Sequence, residues 1–167
     1  MKKAILFVLF LAFLAFGGIF FMNRKRMSGP SWNNLAPTMK AKIIALLDRA
    51  NAAGLSVMFW EGWRSVEDEQ KHIDNGTSKL SDPFNTVHLW GHAADVVFSI
   101  AGVPSWPDLS DPRWSELIAI ANSVGLVHPI SWDGPHFEEP GFKVATIRAE
   151  YGNDWAQYLT DKGVNVA

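Results

Sequence analysis

The stretch Thr86-Val87-His88-Leu89-Trp90-Gly91-His92-Ala93-Ala94-Asp95 decides how this chain is read, and Trp132-Asp133-Gly134-Pro135-His136-Phe137-Glu138 completes it. Catalytic zinc takes three protein ligands, typically imidazoles with a carboxylate, and keeps a fourth position for water. His88, Asp95 and His136 supply such a set. A further group, not itself a ligand, has to take the proton from that water. Asp133 precedes His136 by three residues, so both can lean toward one site from one short segment. Gly91 and Ala94 are small, which lets the chain fold tightly between His88 and Asp95. Spacing alone carries little weight. With 5 His and 17 acidic residues, a His followed by an Asp seven positions on arises readily by chance, and an isolated His is more often packed or solvated than a ligand.

Composition narrows the classes around these two stretches. The chain has 167 residues, the length of one ordinary domain. Hydrophobic residues make up 48% and charged residues 19%, which excludes a disordered polar chain. There is no cysteine, so a disulfide scaffold, a cysteine nucleophile, an iron–sulfur site, a thiolate zinc site and a lipidated cysteine are all excluded. The net charge of −2 gives no basic footprint for nucleic acid.

That net charge conceals two segments. Lys2, Lys3, Arg24, Lys25 and Arg26 precede residue 31, while every acidic residue follows it, so residues 31–167 carry 10 basic against 17 acidic groups. Ala4 to Met22 is an unbroken apolar run. As a helix it would extend roughly 28 Å, close to the hydrocarbon thickness of a bilayer. The expectation is one N-terminal transmembrane helix over residues 4–22, making the membrane a partner, with residues 1–30 as anchor and linker. A cleaved signal peptide is the alternative, with Ala15-Phe16-Gly17 as a small-x-small site. Basic residues flank both ends of the run, so the positive-inside rule does not orient it.

Residues 31–167 read as one domain. Helical spacing of Met39, Ile43, Ile44, Leu46, Leu47 and Ala50 predicts a helix over 37–53, with Gly54 at its end. Leu55 to Trp60 reads as a strand. Ser65 caps a helix that ends near Gly76, and residues 77–87 form a polar loop. Ala93 to Ile100 is a second strand. Asp111 to Val124 is a helix burying Leu117, Ile118, Ile120 and Ala121. Trp132 to Phe142 reads as strand with turns, and 143–151 and 155–162 as helices. Mixed order with short strands predicts an α+β fold. The eight tryptophans are mostly core; Trp90 and Trp132 abut proposed site residues.

Taken together, the two stretches resemble the M15 family of zinc peptidases, which comprises D-alanyl-D-alanine carboxypeptidases and L-alanyl-D-glutamate endopeptidases. The family pattern S-x-H-x-x-G-x-A-x-D appears as T-x-H-x-x-G-x-A-x-D at Thr86 to Asp95. The later acidic residue three before a His appears at Asp133 to His136. Gly62-Trp63-Arg64-Ser65, with Gln70, is similar to the family's G-[YW]-R-[ST] element. The resemblance covers about residues 35–150. It implies a small antiparallel sheet flanked by helices, as in hedgehog and D,D-peptidase domains. It implies His88, Asp95 and His136 as ligands of one Zn2+ per chain, Asp133 as catalytic base and Arg64 as the cation over the substrate carbonyl. Thr86 replaces the usual Ser and keeps the hydroxyl. His92 stands where the family is usually apolar and reads first as a surface residue, with a supporting group behind the site or a pH-sensitive contact as the alternatives. His128 receives no role. Glu138 either supports His136 or packs.

The Asp-Gly-Pro-His-Phe-Glu setting is more similar to the L-alanyl-D-glutamate endopeptidase branch, which includes phage endolysins and wall hydrolases. The implied partner is a peptidoglycan stem peptide. The implied location is the cytoplasmic membrane, with the domain facing the periplasm or wall. D-alanyl-D-alanine carboxypeptidase activity is the near alternative. A non-catalytic zinc domain, or a metal-free binder of wall peptides, is the alternative of another class, since fold does not fix function.

Overall fold

The structure, a computed structural model, describes residues 27–166. Six helices and four strands follow one another as α1 (Pro30–Asn33), α2 (Pro37–Ala52), β1 (Val57–Glu61), α3 (Val66–Asp74), β2 (Ala93–Ile100), β3 (Val103–Ser105), α4 (Pro112–Ser123), β4 (His136–Glu138), α5 (Val144–Tyr151) and α6 (Trp155–Asp161). Two 3-10 turns, Pro83–Asn85 and His88–Trp90, fall in the loop before β2.

β2 is the hub of the sheet. β1 runs antiparallel along one edge, pairing Val57 with Phe98 and Phe59 with Val96. The other edge carries β4 against the start of β2 and β3 against its end. Alternation along the strands sorts the two faces. Val57, Phe59, Ala94, Val96, Phe98 and Phe137 face a core completed by Met39, Ile43, Leu46, Leu47 and Ala50 of α2 and by Trp114, Leu117 and Ala121 of α4. Asp95 and His136, a cross-strand pair, share the opposite face. A second cluster gathers Leu89 and Trp90 against Tyr158 and Leu159 of α6. This packing fastens the turn that carries His88.

Helix starts follow local chemistry. Ser65, Asp111 and Asp154 each accept a backbone N–H of the first turn through their side chains. Pro37 and Pro112 occupy first-turn positions that need no donor.

The α+β class with a small antiparallel sheet is what the structure has. The fold class is corrected in its other part, the transmembrane helix. The run over residues 4–22 lies outside the described residues, and among the described residues no helix is long and apolar enough to cross a membrane. The longest, α2, has 16 residues and carries Lys40, Lys42, Asp48 and Arg49. It reaches only about 24 Å against a hydrocarbon core of about 30 Å. The expected membrane partner and membrane location rested on that same run.

Other differences are local. Of the apolar residues whose spacing predicts α2, Ile44 is exposed. The expected strand over 132–142 shrinks to His136–Glu138, and β3 and α1 join the predicted elements.

Candidate metal centre

Each side chain of the centre is aimed by a different piece of local structure. His88 opens a 3-10 turn that closes on Gly91, whose φ of 74° lies in the left-handed region. Asp95 sits on β2, and β4 places His136 opposite it. One atom from each residue then converges. His88 Nε2 lies 3.1 Å from His136 Nδ1. Asp95 Oδ1 lies 3.5 Å from His88 Nε2 and 3.4 Å from His136 Nδ1.

The remaining ring nitrogens decide what these atoms can do. His88 Nδ1 is 2.6 Å from the Gly62 carbonyl, an acceptor only. His136 Nε2 is 2.8 Å from Glu138 Oε1. Each of these nitrogens donates its proton outward, which leaves the inward nitrogen with a lone pair. Two lone pairs and a carboxylate oxygen therefore face one another. Asp95 Oδ1 is buried without a hydrogen-bond donor, a costly state for a lone polar atom. Tetrahedral zinc, with bonds of about 2.0–2.1 Å, separates its ligand atoms by about 3.3 Å. The triangle of 3.1, 3.4 and 3.5 Å matches that separation, so the donor set fits the metal.

A wall of fixed charge stands beside the triangle. Arg64 donates to Glu69 at 2.6 Å and to Glu61 at 2.5 Å, and lies 3.7 Å from Asp95 Oδ2. A β-bulge makes this possible. Phe59 pairs with Val96, yet Glu61 rather than Trp60 pairs with Asp95. Without the shift, alternation would turn Glu61 into the core with Val57 and Phe59. Burial works against the Arg64 charge, but the hydrogen bonds it donates to Glu61 and Glu69 raise its pKa nonetheless. Asp95 is held well below the usual carboxylate range: burial opposes this, and His88 and His136 overcome it. Burial lowers the His136 pKa, but Asp95 and Glu138 outweigh it and raise it, so a metal entering the triangle has to displace a proton from the inward nitrogen.

Asp133 lines the same cleft. Burial raises its pKa, the nearby Asp95 charge adds to the rise, and His136, His88 and His128 work against it. Its backbone carbonyl accepts from His136 N at 3.2 Å and faces His128 Nε2 at 3.0 Å. His88, Asp95, His136, Asp133, Arg64 and Thr86 thus line one cleft of about 620 Å³.

Some sequence readings land elsewhere. Gln70 is exposed and bonds Asp74 on its own helix. Trp90 is fully buried, its Nε1 donating to the Phe84 carbonyl, and belongs to the core rather than the site. His92 is buried rather than on the surface, between Glu139 at 2.5 Å and the Tyr158 hydroxyl at 2.7 Å. Sequence reading missed the orienting carbonyl of Gly62, the Glu61–Arg64–Glu69 triad and the exposed Trp60 and Trp106 on the cleft wall. Alternation past Val57 and Phe59 was the available signal for Trp60, which falls on the site face of β1.

A family profile described as phage L-alanyl-D-glutamate peptidase matches residues 25–148. The chain belongs to that family. Within it, the L-alanyl-D-glutamate peptidase of Listeria phage A118 is 27% identical over 110 residues, a match covering 64% of this chain and 38% of that relative. The chain therefore spans well under half the length of the relative. Among solved structures, the L-Ala D-Glu endopeptidase ChiX of Serratia marcescens aligns with a TM-score of 0.54 at 21% identity, over 70% of this chain and 85% of its own. The D,D-pentapeptidase VanY, from a VanB-type resistance cassette and solved in complex with Zn(II), aligns with a TM-score of 0.51 at 18% identity, over 75% and 83%. These two likenesses show a shared fold.

Proposed function

We propose that residues 31–167 form a zinc-dependent peptidoglycan peptidase that hydrolyses the L-alanyl-D-glutamate amide bond of the stem peptide. The observation that carries this reading is the convergence of the His88, Asp95 and His136 lone pairs in a cleft that also holds Asp133. Family membership supports the choice of bond, because the matched profile and the phage relative are both named for it.

In this reading His88 Nε2, His136 Nδ1 and an Asp95 oxygen hold the metal. Bound zinc supplies an acidified water and an electrophilic pole for the scissile carbonyl. The protein does the rest. Gly62 and Glu138 fix the two imidazoles in the required tautomers and orientations. Asp133, whose burial makes it a stronger base than an exposed aspartate, takes the proton of the attacking water and returns it to the departing amine. Arg64, locked by Glu61 and Glu69, sets a fixed positive charge beside the place where negative charge develops.

The test uses the full chain with purified peptidoglycan, with and without a chelator, and mass spectrometry of the new termini. The expected result is a chelator-sensitive free amino terminus on D-glutamate. Release of free D-alanine would move the activity to the carboxypeptidase branch. Stoichiometric zinc without cleavage would overturn the enzymatic reading.

A further inference from the structure

The proposed reaction places a demand on the cleft that the metal centre does not meet. The amino group of the glutamate sits in the scissile bond. Glutamate has two carboxyls, and a stem peptide continues through only one. A free carboxylate therefore lies on the leaving-group side, close to the bond that is cut.

The cleft is poorly suited to receive that anion except at one place. Its lining carboxylates are Glu61, Glu69, Asp95, Asp133 and Glu138. Its lining cations are Arg64 and Lys79. Arg64 is held by Glu61 and Glu69 at 2.5 and 2.6 Å, and in the reading above its remaining charge faces the reacting carbonyl rather than the leaving-group side. Lys79 is exposed and belongs to no ion pair among the described residues. Its ammonium rests 3.9 Å from the ring centroid of Trp132, itself 46% exposed. A cation held over an indole face is positioned without being neutralised, so its charge stays available to a ligand. Trp132 directly precedes Asp133 in the chain, and Lys79 and Trp132 line the same cleft as Asp133 and the triangle. The pair joins two loops, one after α3 and one before β4.

We propose that Lys79, positioned on Trp132, binds the free carboxylate on the leaving-group side of the substrate and determines specificity for acidic stem peptides. The proposal rests on the peptidase reading above. An arginine keeps the positive charge and can also lie over an indole face, so Lys79→Arg should retain the preference for the acid, although its wider guanidinium changes the fit.

The experiment compares three versions of one synthetic stem peptide: the free acid, the form amidated at the glutamate's free carboxyl, and the form amidated at the C-terminus. Full-length wild type, Lys79→Met, Lys79→Arg and Trp132→Ala are assayed on each. Wild type should prefer the free acid over one amidated form by about tenfold in kcat/KM, and the sensitive position identifies the carboxylate. Lys79→Met should abolish that preference by raising KM about tenfold on the acid, with kcat held within about twofold. Lys79→Arg should restore the preference, and Trp132→Ala should weaken it. An undiminished preference in Lys79→Met, or an equal loss on all three peptides, would overturn the proposal. Calorimetric binding of the same peptides to Asp133→Asn protein, with and without Lys79→Met, separates the two readings. If wild type cleaves none of the peptides but acid-selective binding disappears with Lys79, the peptidase reading fails and the Lys79 contact stands. If acid-selective binding is absent, the contact fails whatever the cleavage result.

Discussion

His136 turns Nδ1 toward Asp95 because Nε2 is committed to Glu138. The same division of labour in His88 depends on the Gly62 carbonyl. Loss of either imidazole should therefore release metal, and His88→Ala or His136→Ala protein should contain far less than one zinc by elemental analysis. Glu138→Gln keeps the shape but weakens the pull on the imidazole, and zinc affinity should fall about 10–100-fold in chelator competition. Asp133→Asn differs in kind. Its zinc content should be unchanged while hydrolysis falls about 10²–10⁴-fold, and full activity would remove Asp133 from the base position. The residues that converge were legible in the sequence because their flanking pattern is specific. The groups that aim them were not. A backbone carbonyl such as that of Gly62 leaves no trace in residue type. Trp90 adjoins site residues in sequence, yet the 3-10 turn points it into the second core cluster.

At the level of elements, the site depends on two irregularities in otherwise ordinary strands and turns. The bulge in β1 brings Glu61 to Asp95, and Gly91 lets the His88 turn press against α1 and α6. A Cβ on Gly91 would meet the Asn34 carbonyl oxygen at 2.7 Å and Leu159 Cδ2 at 2.9 Å, on a backbone with φ of +74°. Backbone atoms cannot yield as a flexible side chain does, so strain and overpacking add. Gly91→Ala should lower unfolding stability by about 2–4 kcal/mol in urea titration and displace His88, reducing zinc affinity as well. A stability change below about 0.5 kcal/mol would mean that this turn relaxes freely. Long periodic elements such as α2 and α4 were legible within a residue or two. β3 and β4, at three residues each, are too short to show alternation. The bulge obeys cross-strand pairing, which no single strand encodes.

Across the whole molecule, a buried polar network ties the segments that carry His88, Asp95 and His136 to the helices behind them. His92, between His88 and Asp95 in the chain, meets Glu139, just beyond β4. Glu139 also receives Lys42 at 2.6 Å and Thr38 at 3.0 Å from α2, while His92 meets Tyr158 of α6. Phe142 stacks on the His92 ring at 4.2 Å. Burial raises the Glu139 pKa, but His92 and Lys42 outweigh it and hold the carboxyl at about 2, against an ordinary 4.5. A depressed folded-state pKa means that the unfolded chain binds the proton first as pH falls. The stabilisation is therefore complete above about 4.5 and is lost as pH falls toward about 2. Glu139→Gln removes the charge from a network built around it. The variant should be less stable at pH 7 by about 2–3 kcal/mol. Its melting temperature should also fall less steeply than wild type between pH 4.5 and the acid limit of folding, because one of the carboxylates that couple folding to proton uptake is gone. Parallel wild-type and variant profiles would show that Glu139 does not titrate on unfolding. Because Glu139 touches no atom of the His88–Asp95–His136 triangle, zinc stoichiometry at pH 7 should stay at one. The network would then govern how firmly the two segments are held, while the triangle alone governs what they hold.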